Sequence, residues 1–279
     1  MRRLAGAPLP IDLEIITMKR VSKLFAALSL SVAALAVHAE NVKLTVAASP
    51  VPHAEILEAL KPTLAKQGVD LQVKVFNDYV LPNTQVEEKQ LDANFFQHIP
   101  YLDKFNKDRG THLVVASKPV HIEPFAVYSS KFKKVADLPQ GATVAIPNDP
   151  TNAGRALLLL DQGGVIKLKD RKNIYPTTKD IVSNPKNIKI KELEAATLPR
   201  VLNQVDAALI NANYALEAKL NPKRDALFTE TTSPYANLLV ARPDNKNSAA
   251  MKKLAAALSS PEAKKFIETK YQGAVIPAF

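Results

Sequence analysis

Cysteine is absent from the 279 residues. That excludes disulfides, thiolate metal sites, a cysteine nucleophile and a cysteine-linked lipid, while leaving the compartment open. Glycine is scarce at 8 residues, and no Gly-rich phosphate loop occurs, so nucleotide cradling is not expected. No Gly-x-Ser-x-Gly elbow and no compelling carboxylate pair is present, which leaves little basis for catalysis. The five histidines, His38, His53, His98, His112 and His121, form neither an HxH nor an HxxxH pair. No metal site and no cofactor are therefore expected. Aromatic residues are only 6 % of the chain, so where they gather is informative.

What is present begins with an export pattern. Lys19, Arg20 and Lys23 precede an apolar run from Leu24 to Val37, and Val37-His38-Ala39 supplies small or modest residues at a cleavage position. Positive, apolar, small is the order of a secretory signal peptide, with cleavage expected after Ala39. The run has 14 residues, whereas a membrane span needs about 20. Asp12 and Glu14 lie upstream of the basic residues, so translation is expected to start at Met18. The formal net charge is +10. Lysines are interleaved with acids, as in Lys167 to Lys172 and Lys186 to Glu194, which reads as a solvated basic surface rather than a nucleic-acid stripe.

Hydrophobic residues at 47 % and charged residues at 23 % suit a globular chain of one large or two modest domains. Val42 to Ala48 reads as a strand, Ala54 to Gln67 as a helix with Ile56, Leu57, Leu60 and Leu64 on one side, and Asp70 to Phe76 as a second strand. This is a βαβ unit, the building block of parallel sheets. Val86 to Gln90 is expected to end a helix, and Ala93 to Phe96 to form a strand. After strand-like segments at Val114 to Ala116 and Phe125 to Tyr128, a second unit opens. Thr143 to Ile146 is a buried strand, and Asp149 caps a helix with Pro150 in its first position, running through Leu160. Further strands are expected at Ile188 to Leu193, Ala207 to Ile210 and Tyr235 to Ala241. Helices are expected at Leu198 to Gln204, Ala249 to Leu258 and Pro261 to Tyr271. Gln90-Leu91-Asp92-Ala93-Asn94 echoes Gln204-Val205-Asp206-Ala207-Ala208, as two similar α/β halves facing one crevice would produce. In open α/β sheets ligands sit beyond the carboxyl ends of the strands.

The rings gather at Phe76-Asn77-Asp78-Tyr79-Val80-Leu81-Pro82-Asn83 and Asp92-Ala93-Asn94-Phe95-Phe96-Gln97-His98-Ile99-Pro100-Tyr101. Phe96 and His98 are two apart and share a face on an extended segment. Such rings can wall a cavity for a polarizable group, and a thioether gains about 0.3–1.5 kcal/mol per sulfur–aromatic contact. They can equally be core, and spacing does not say which of Phe95 and Phe96 faces inward. A second cluster is Asn148-Asp149-Pro150-Thr151-Asn152-Ala153-Gly154-Arg155. Its helix N-terminus suits an anion, and Arg155, three residues from Asn152, can bind a carboxylate with two hydrogen bonds. A capped structural helix with a surface arginine is the equal alternative. Asn211, Asn213 and Asn237 could serve an ammonium and a carboxylate together, or simply sit in turns.

In this order, Phe76 to Asn83, Asp92 to His98, Pro147 to Asn152 with Arg155, and Ser233-Pro234-Tyr235-Ala236-Asn237 resemble the NlpA/MetQ family of methionine-binding proteins. The resemblance covers residues 41 to 279. It implies a two-lobe periplasmic-binding-protein fold of α/β class, type II-like. Each lobe would be a mixed sheet flanked by helices, with residues 40–122 plus about 236–279 in lobe 1 and about 123–235 in lobe 2. It implies that Tyr79, Phe96, His98 and Tyr101 line the side-chain pocket and that Arg155 holds the α-carboxylate. Asn211 and Asn237, with Asn152 beside them, would hold the backbone groups. The implied partners are methionine and the permease and ATPase of an ABC importer, served by a monomer. Another amino acid or a methionine-containing dipeptide is the alternative ligand. A periplasmic hydrolase using His98 is the alternative of a different class. Many family members carry a cysteine at the cleavage site. This chain has none, so a freely diffusing periplasmic protein is expected.

Overall fold

The computed structural model describes residues 41–231 and 234–279. The signal peptide and the Met18 start lie outside these residues, as does Ser233. The first strand, β1 (Val42–Ala48), forms because its branched residues alternate with polar ones at the exposed end and become fully apolar where both faces are covered. Helix α1 (Glu55–Lys66) buries Ile56, Leu57, Leu60 and Leu64 and returns the chain to β2 (Val69–Val75), parallel to β1 from Val42↔Val69 to Ala48↔Val75. Helix α2 (Leu81–Glu87) then leads to β3 (Ala93–His98), parallel to β1 on its other side.

Helix α3 (Ile99–Arg109) has no counterpart among the expected elements. Only Tyr101, Leu102 and Phe105 of it are buried, too narrow a stripe to stand out in sequence. It starts because the His98 side chain accepts from Tyr101 N and Pro100 sits in the first turn, and it stops at Gly110, whose φ of 66° suits a residue without Cβ. Short strands β4 (Val114–Val115) and β5 (His121–Ile122) follow.

The chain then enters a second sheet through β6 (Ala126–Tyr128) and β7 (Thr143–Pro147). Helix α4 (Pro150–Gln162) carries its expected cap, with Asp149 accepting from Asn152 N. Strands β8 (Lys167–Leu168) and β9 (Ile181–Ser183) pair with each other. Strand β10 (Lys189–Leu193) is parallel to β7, as is β11 (Ala207–Ile210) on the opposite side. The helix expected over Leu198–Gln204 is instead a run of turns after a 3-10 segment at Ala195–Thr197. Pro199 offers no N–H there, and Leu198, Arg200 and Gln204 each bond three residues back rather than four.

After α5 (Ala212–Glu217) and β12 (Ala226–Thr229), the chain returns to the first sheet as β13 (Ala236–Ala241), antiparallel to β3. Helices α6 (Ala249–Leu258) and α7 (Pro261–Tyr271) and strand β14 (Ile276–Pro277) complete it. The sheets run β14-β5-β13-β3-β1-β2, with β4 also on β13, and β10-β7-β11-β6-β12.

Both sheets are covered on two faces, and the period of two shows it. Val46 and Ala48 pack with Leu57, Leu60 and Met251, whereas Ala47 faces Val86, Leu102 and Leu238. Val144 and Ile146 pack with Leu157 and Leu160, whereas Ala145 faces Leu198, Leu202 and Tyr128. The sequence echo has a structural cause. Asp92 N donates to Thr45 O at 3.0 Å, and Asp92 Oδ2 accepts from Thr45 N at 2.7 Å. Asp206 N donates to Thr143 O at 2.9 Å, and Asp206 Oδ2 accepts from Thr143 N at 2.8 Å. Each aspartate locks the strand it opens onto the central strand of its sheet, so β3 and β11 leave their sheets in the same way.

Candidate ligand-binding site

Beyond the carboxyl ends of β3, β7 and β11 lies a cavity with about 350 Å³ of empty space counted out to its mouth. The first sheet and its loops contribute Tyr79, Phe96, His98, Tyr101 and Asn237. The second contributes Asn152, Arg155 and Asn211. All eight residues singled out in the sequence thus line one space. Asn213, weighed in the sequence with Asn211 and Asn237, also lines it, as do Gln97, Glu123 and Ala212, which had no part in the sequence reading of the site.

Strand alternation separates the two phenylalanines that spacing left open. Phe95 points into the core against Leu57 and Leu239, while Phe96 joins Tyr101 and Phe105. Tyr79 packs its ring 5.8 Å from Phe96, 5.9 Å from Tyr101 and 5.0 Å from Tyr214, centroid to centroid. Its hydroxyl donates to Asn213 Oδ1 at 2.6 Å, and Tyr101 donates to the Tyr79 carbonyl at 2.7 Å. Tyr79 therefore ties the aromatic wall to the second sheet.

His98 is fixed by its cap. Its Nδ1 accepts from Tyr101 N at 3.2 Å, which leaves the ring proton on Nε2. Burial, with Arg155 nearby, pushes its pKa down to about 3. A neutral ring whose Nδ1 is already committed is poorly suited to act as a base near neutral pH, which weakens the hydrolase alternative.

On the opposite wall Asp149 accepts from Asn152 N at 2.9 Å and from Asn152 Nδ2, and Asn152 Oδ1 accepts from Asn211 Nδ2 at 2.8 Å. The cap thus orients a chain of two amides. Asn211 Oδ1 and Asn213 Nδ2 are buried without a partner, which is costly unless something enters to meet them. Arg155 is already paired within the protein. Its Nε and Nη2, one of the two edges that can bind a carboxylate with two hydrogen bonds, already meet Glu230 at 3.1 and 2.5 Å. Nη2 also donates to the Glu123 carbonyl at 3.0 Å. The guanidinium lies over the Tyr235 ring at 4.2 Å and the Phe125 ring at 5.0 Å. Gly154 lets the Ile174–Pro176 segment lie close against α4, since a Cβ there would come within 2.9 Å of the Ile174 carbonyl oxygen.

Beneath the cavity, three residues far apart in sequence meet. Glu123 Oε1 lies 2.8 Å from His121 Nε2 and 3.1 Å from His53 Nε2, and Glu123 Oε2 accepts from Asn213 N at 3.0 Å. His53 Nε2 also lies 3.2 Å from Asn237 Oδ1. Burial lowers the pKa of His53 to about 4 and of His121 to about 3, and it raises that of Glu123. The donor atoms of these residues lie within 4.8 Å of one another, so they could hold a metal ion. Both Nε2 atoms, however, converge on one carboxylate oxygen. Neither Nδ1 has the partner that a metal-bound imidazole ordinarily finds. The geometry is that of two neutral rings donating to one carboxylate. The only local signal was His121 and Glu123 at a spacing of two on an extended segment.

The model of the family described as NlpA lipoprotein matches residues 44–279. The chain belongs to this family. It is 42% identical over 240 residues to the methionine-binding lipoprotein MetQ of Bacillus subtilis, covering 84% of this chain and 88% of that protein. It is 47% identical over 221 residues to the D-methionine-binding lipoprotein MetQ of Salmonella typhi, covering 78% and 81%. Among solved structures, a nutrient-binding protein from Burkholderia cenocepacia bound to methionine superposes with a TM-score of 0.82 at 47% identity, over 85% of this chain and all of that one (100%). The fold of the NlpA family, two α/β lobes of the periplasmic-binding type, is the fold of this chain.

Proposed function

We propose that this protein is a substrate-binding protein that captures methionine, in its L or D form, and delivers it to the permease and ATPase of an ABC importer. The observation that carries this reading is the division of one cavity into two kinds of wall. Tyr79, Phe96, His98 and Tyr101 offer rings to a thioether, and Asn152, Arg155, Asn211 and Asn237 offer hydrogen bonds to the charged end. The ligand carboxylate meets Arg155 from the cavity side, away from the edge spent on Glu230. The methionine-bound Burkholderia relative supports the ligand class.

Within this reading, residues 40–122 with about 236–279 form one lobe and about 123–235 the other, and closure of the two on the ligand links capture to delivery. The protein acts as a monomer, exported through the signal peptide read at Lys19 to Ala39. With no cysteine among its 279 residues to take a lipid, it is free in the periplasm.

Isothermal titration of ligand-stripped protein with L- and D-methionine tests the reading, and saturable heat with either is expected. Heat with neither, and no thermal shift, overturns it. Mass spectrometry of ligand released from freshly purified protein separates methionine from another amino acid or a dipeptide.

A further inference from the structure

We propose that Tyr101 is a partition that sets how long a ligand side chain the cavity accepts, because its ring closes the cavity off from a second chamber on its far side. This rests on the proposed function and adds a length limit to it.

The second chamber lies between α3 and the N-terminus of α4, with about 560 Å³ of empty space counted out to its mouth. Tyr101 lines both spaces. Tyr101, Phe105 and Arg109 are spaced four apart and form one stripe along α3. The side chains step outward along it. Phe96 and Tyr101 lie 5.8 Å apart, Tyr101 stacks on Phe105 at 6.1 Å, and the Arg109 guanidinium lies over Phe105 at 6.0 Å. Phe96 lines the cavity and Phe105 lines the chamber, so the Tyr101 ring stands between the two. That ring is held firmly. It is buried, its hydroxyl donates to the Tyr79 carbonyl at 2.7 Å, and the Tyr101 N–H donates to the capping His98 at 3.2 Å. A ring fixed at its hydroxyl and at its backbone, and packed by Phe96 and Phe105, yields little to a longer ligand.

The chemistry beyond the ring suits an alkyl chain. Val80, Phe105 and Pro150 supply apolar wall. The charged side chains there are already engaged: Lys104 pairs with Asp108, Asp149 caps α4, and Arg109 lies over Phe105. A chain entering the chamber therefore strands no charge. Without the Tyr101 ring, the thioether wall of the cavity would continue into this apolar space.

Titration of methionine, ethionine and S-butylhomocysteine, which differ only in the length of the S-alkyl group, tests the partition. Wild-type protein is expected to bind ethionine about 10- to 200-fold more weakly than methionine, the worth of one methylene too many, and S-butylhomocysteine more weakly still. Tyr101→Ala should reverse the order and bind S-butylhomocysteine most tightly of the three. Tyr101→Phe, which keeps the ring, should keep the wild-type order, as should Phe105→Ala, which widens only the outer chamber. Wild type that binds S-butylhomocysteine as tightly as methionine overturns the proposal. So does Tyr101→Ala that weakens all three ligands alike, since the ring would then be packing and not a barrier. Reversal in Phe105→Ala alone also overturns it, by moving the barrier to that ring. If wild type binds none of the three, the proposed function itself falls, a result distinct from these. Should Tyr101→Ala not fold, Tyr101→Leu, expected to shift the order in the same direction, carries the decision.

Discussion

The two sheets share a plan and differ in what they present. In each, a central strand is flanked by two parallel neighbours, with an antiparallel strand beyond: β2-β1-β3-β13 in one and β10-β7-β11-β6 in the other. In each, an aspartate locks the third strand to a threonine of the first. Yet the segment after β1 delivers His53 to a carboxylate, whereas the segment after β7 delivers Asn152 and Arg155 from a capped helix. The first sheet brings rings, every described histidine and Asn237; the second brings Asn152, Asn211 and the guanidinium. The same backbone device can therefore be fitted with opposite chemistry, and the cavity needs both.

Acid should break this symmetry most strongly. His53, His98 and His121 all have folded pKa values lowered by burial to about 3 to 4, against an unfolded value of 6.5. The stability they contribute is fully present above 6.5 and is lost as pH falls toward the folded values. Between residues 123 and 231 there is no histidine. Hydrogen exchange at pH 5 should therefore show β3 and β13 losing protection before β7 and β11. His98→Asn, which keeps a helix-capping side chain, should flatten the acid limb of the melting curve.

A smaller effect separates the two walls. Arg155→Ala leaves Glu230 with an uncompensated charge and should cost about 3–5 kcal/mol in urea unfolding. Tyr79→Ala should weaken thioether ligands relative to other amino acids in titration, whereas Arg155→Ala should weaken all amino acids alike. If both variants bind as wild type does, the division of labour is wrong.

The smallest effect concerns the shared lock. The Asp206 carboxyl lies below its ordinary value, chiefly because Thr143 N–H bonds to it. Its contribution is present above 3.8 and lost as pH falls through the lower folded value. Asp206→Asn should cost about 1 kcal/mol at neutral pH and lose less than wild type on acidification below 4.

Much of this plan was readable in the sequence where the signal was local. The alternation of Val42 to Ala48, the stripe of α1, and Asp149 with Pro150 each announce an element within a few residues. The echo around Asp92 and Asp206 was visible because it repeats a local lock. The eight cavity residues were found through motif order and not through periodicity. What failed was either weakly patterned or distant. Helix α3 buries too few residues to show a stripe, and Leu198, Leu202 and Val205 imitate helical spacing around a proline. The contact between His53 and Glu123 spans 70 positions and exists only because β5 and the segment after β1 converge. No spacing rule reaches that far. The occupation of Arg155 by Glu230 was hidden for the same reason.

One consequence concerns the order in which the chain is made. The second sheet is contiguous, running from β6 at Ala126 to β12 at Thr229, whereas the first is split around it and lacks β13 until Ala241. During synthesis the later half can therefore close its hydrogen bonds while β3 still presents a bare edge. A chain that has emerged only as far as residue 235 would hold a finished second sheet beside an unfinished first one. In that interval the exposed edge of β3 is where a chaperone, or a second nascent chain, would find this protein.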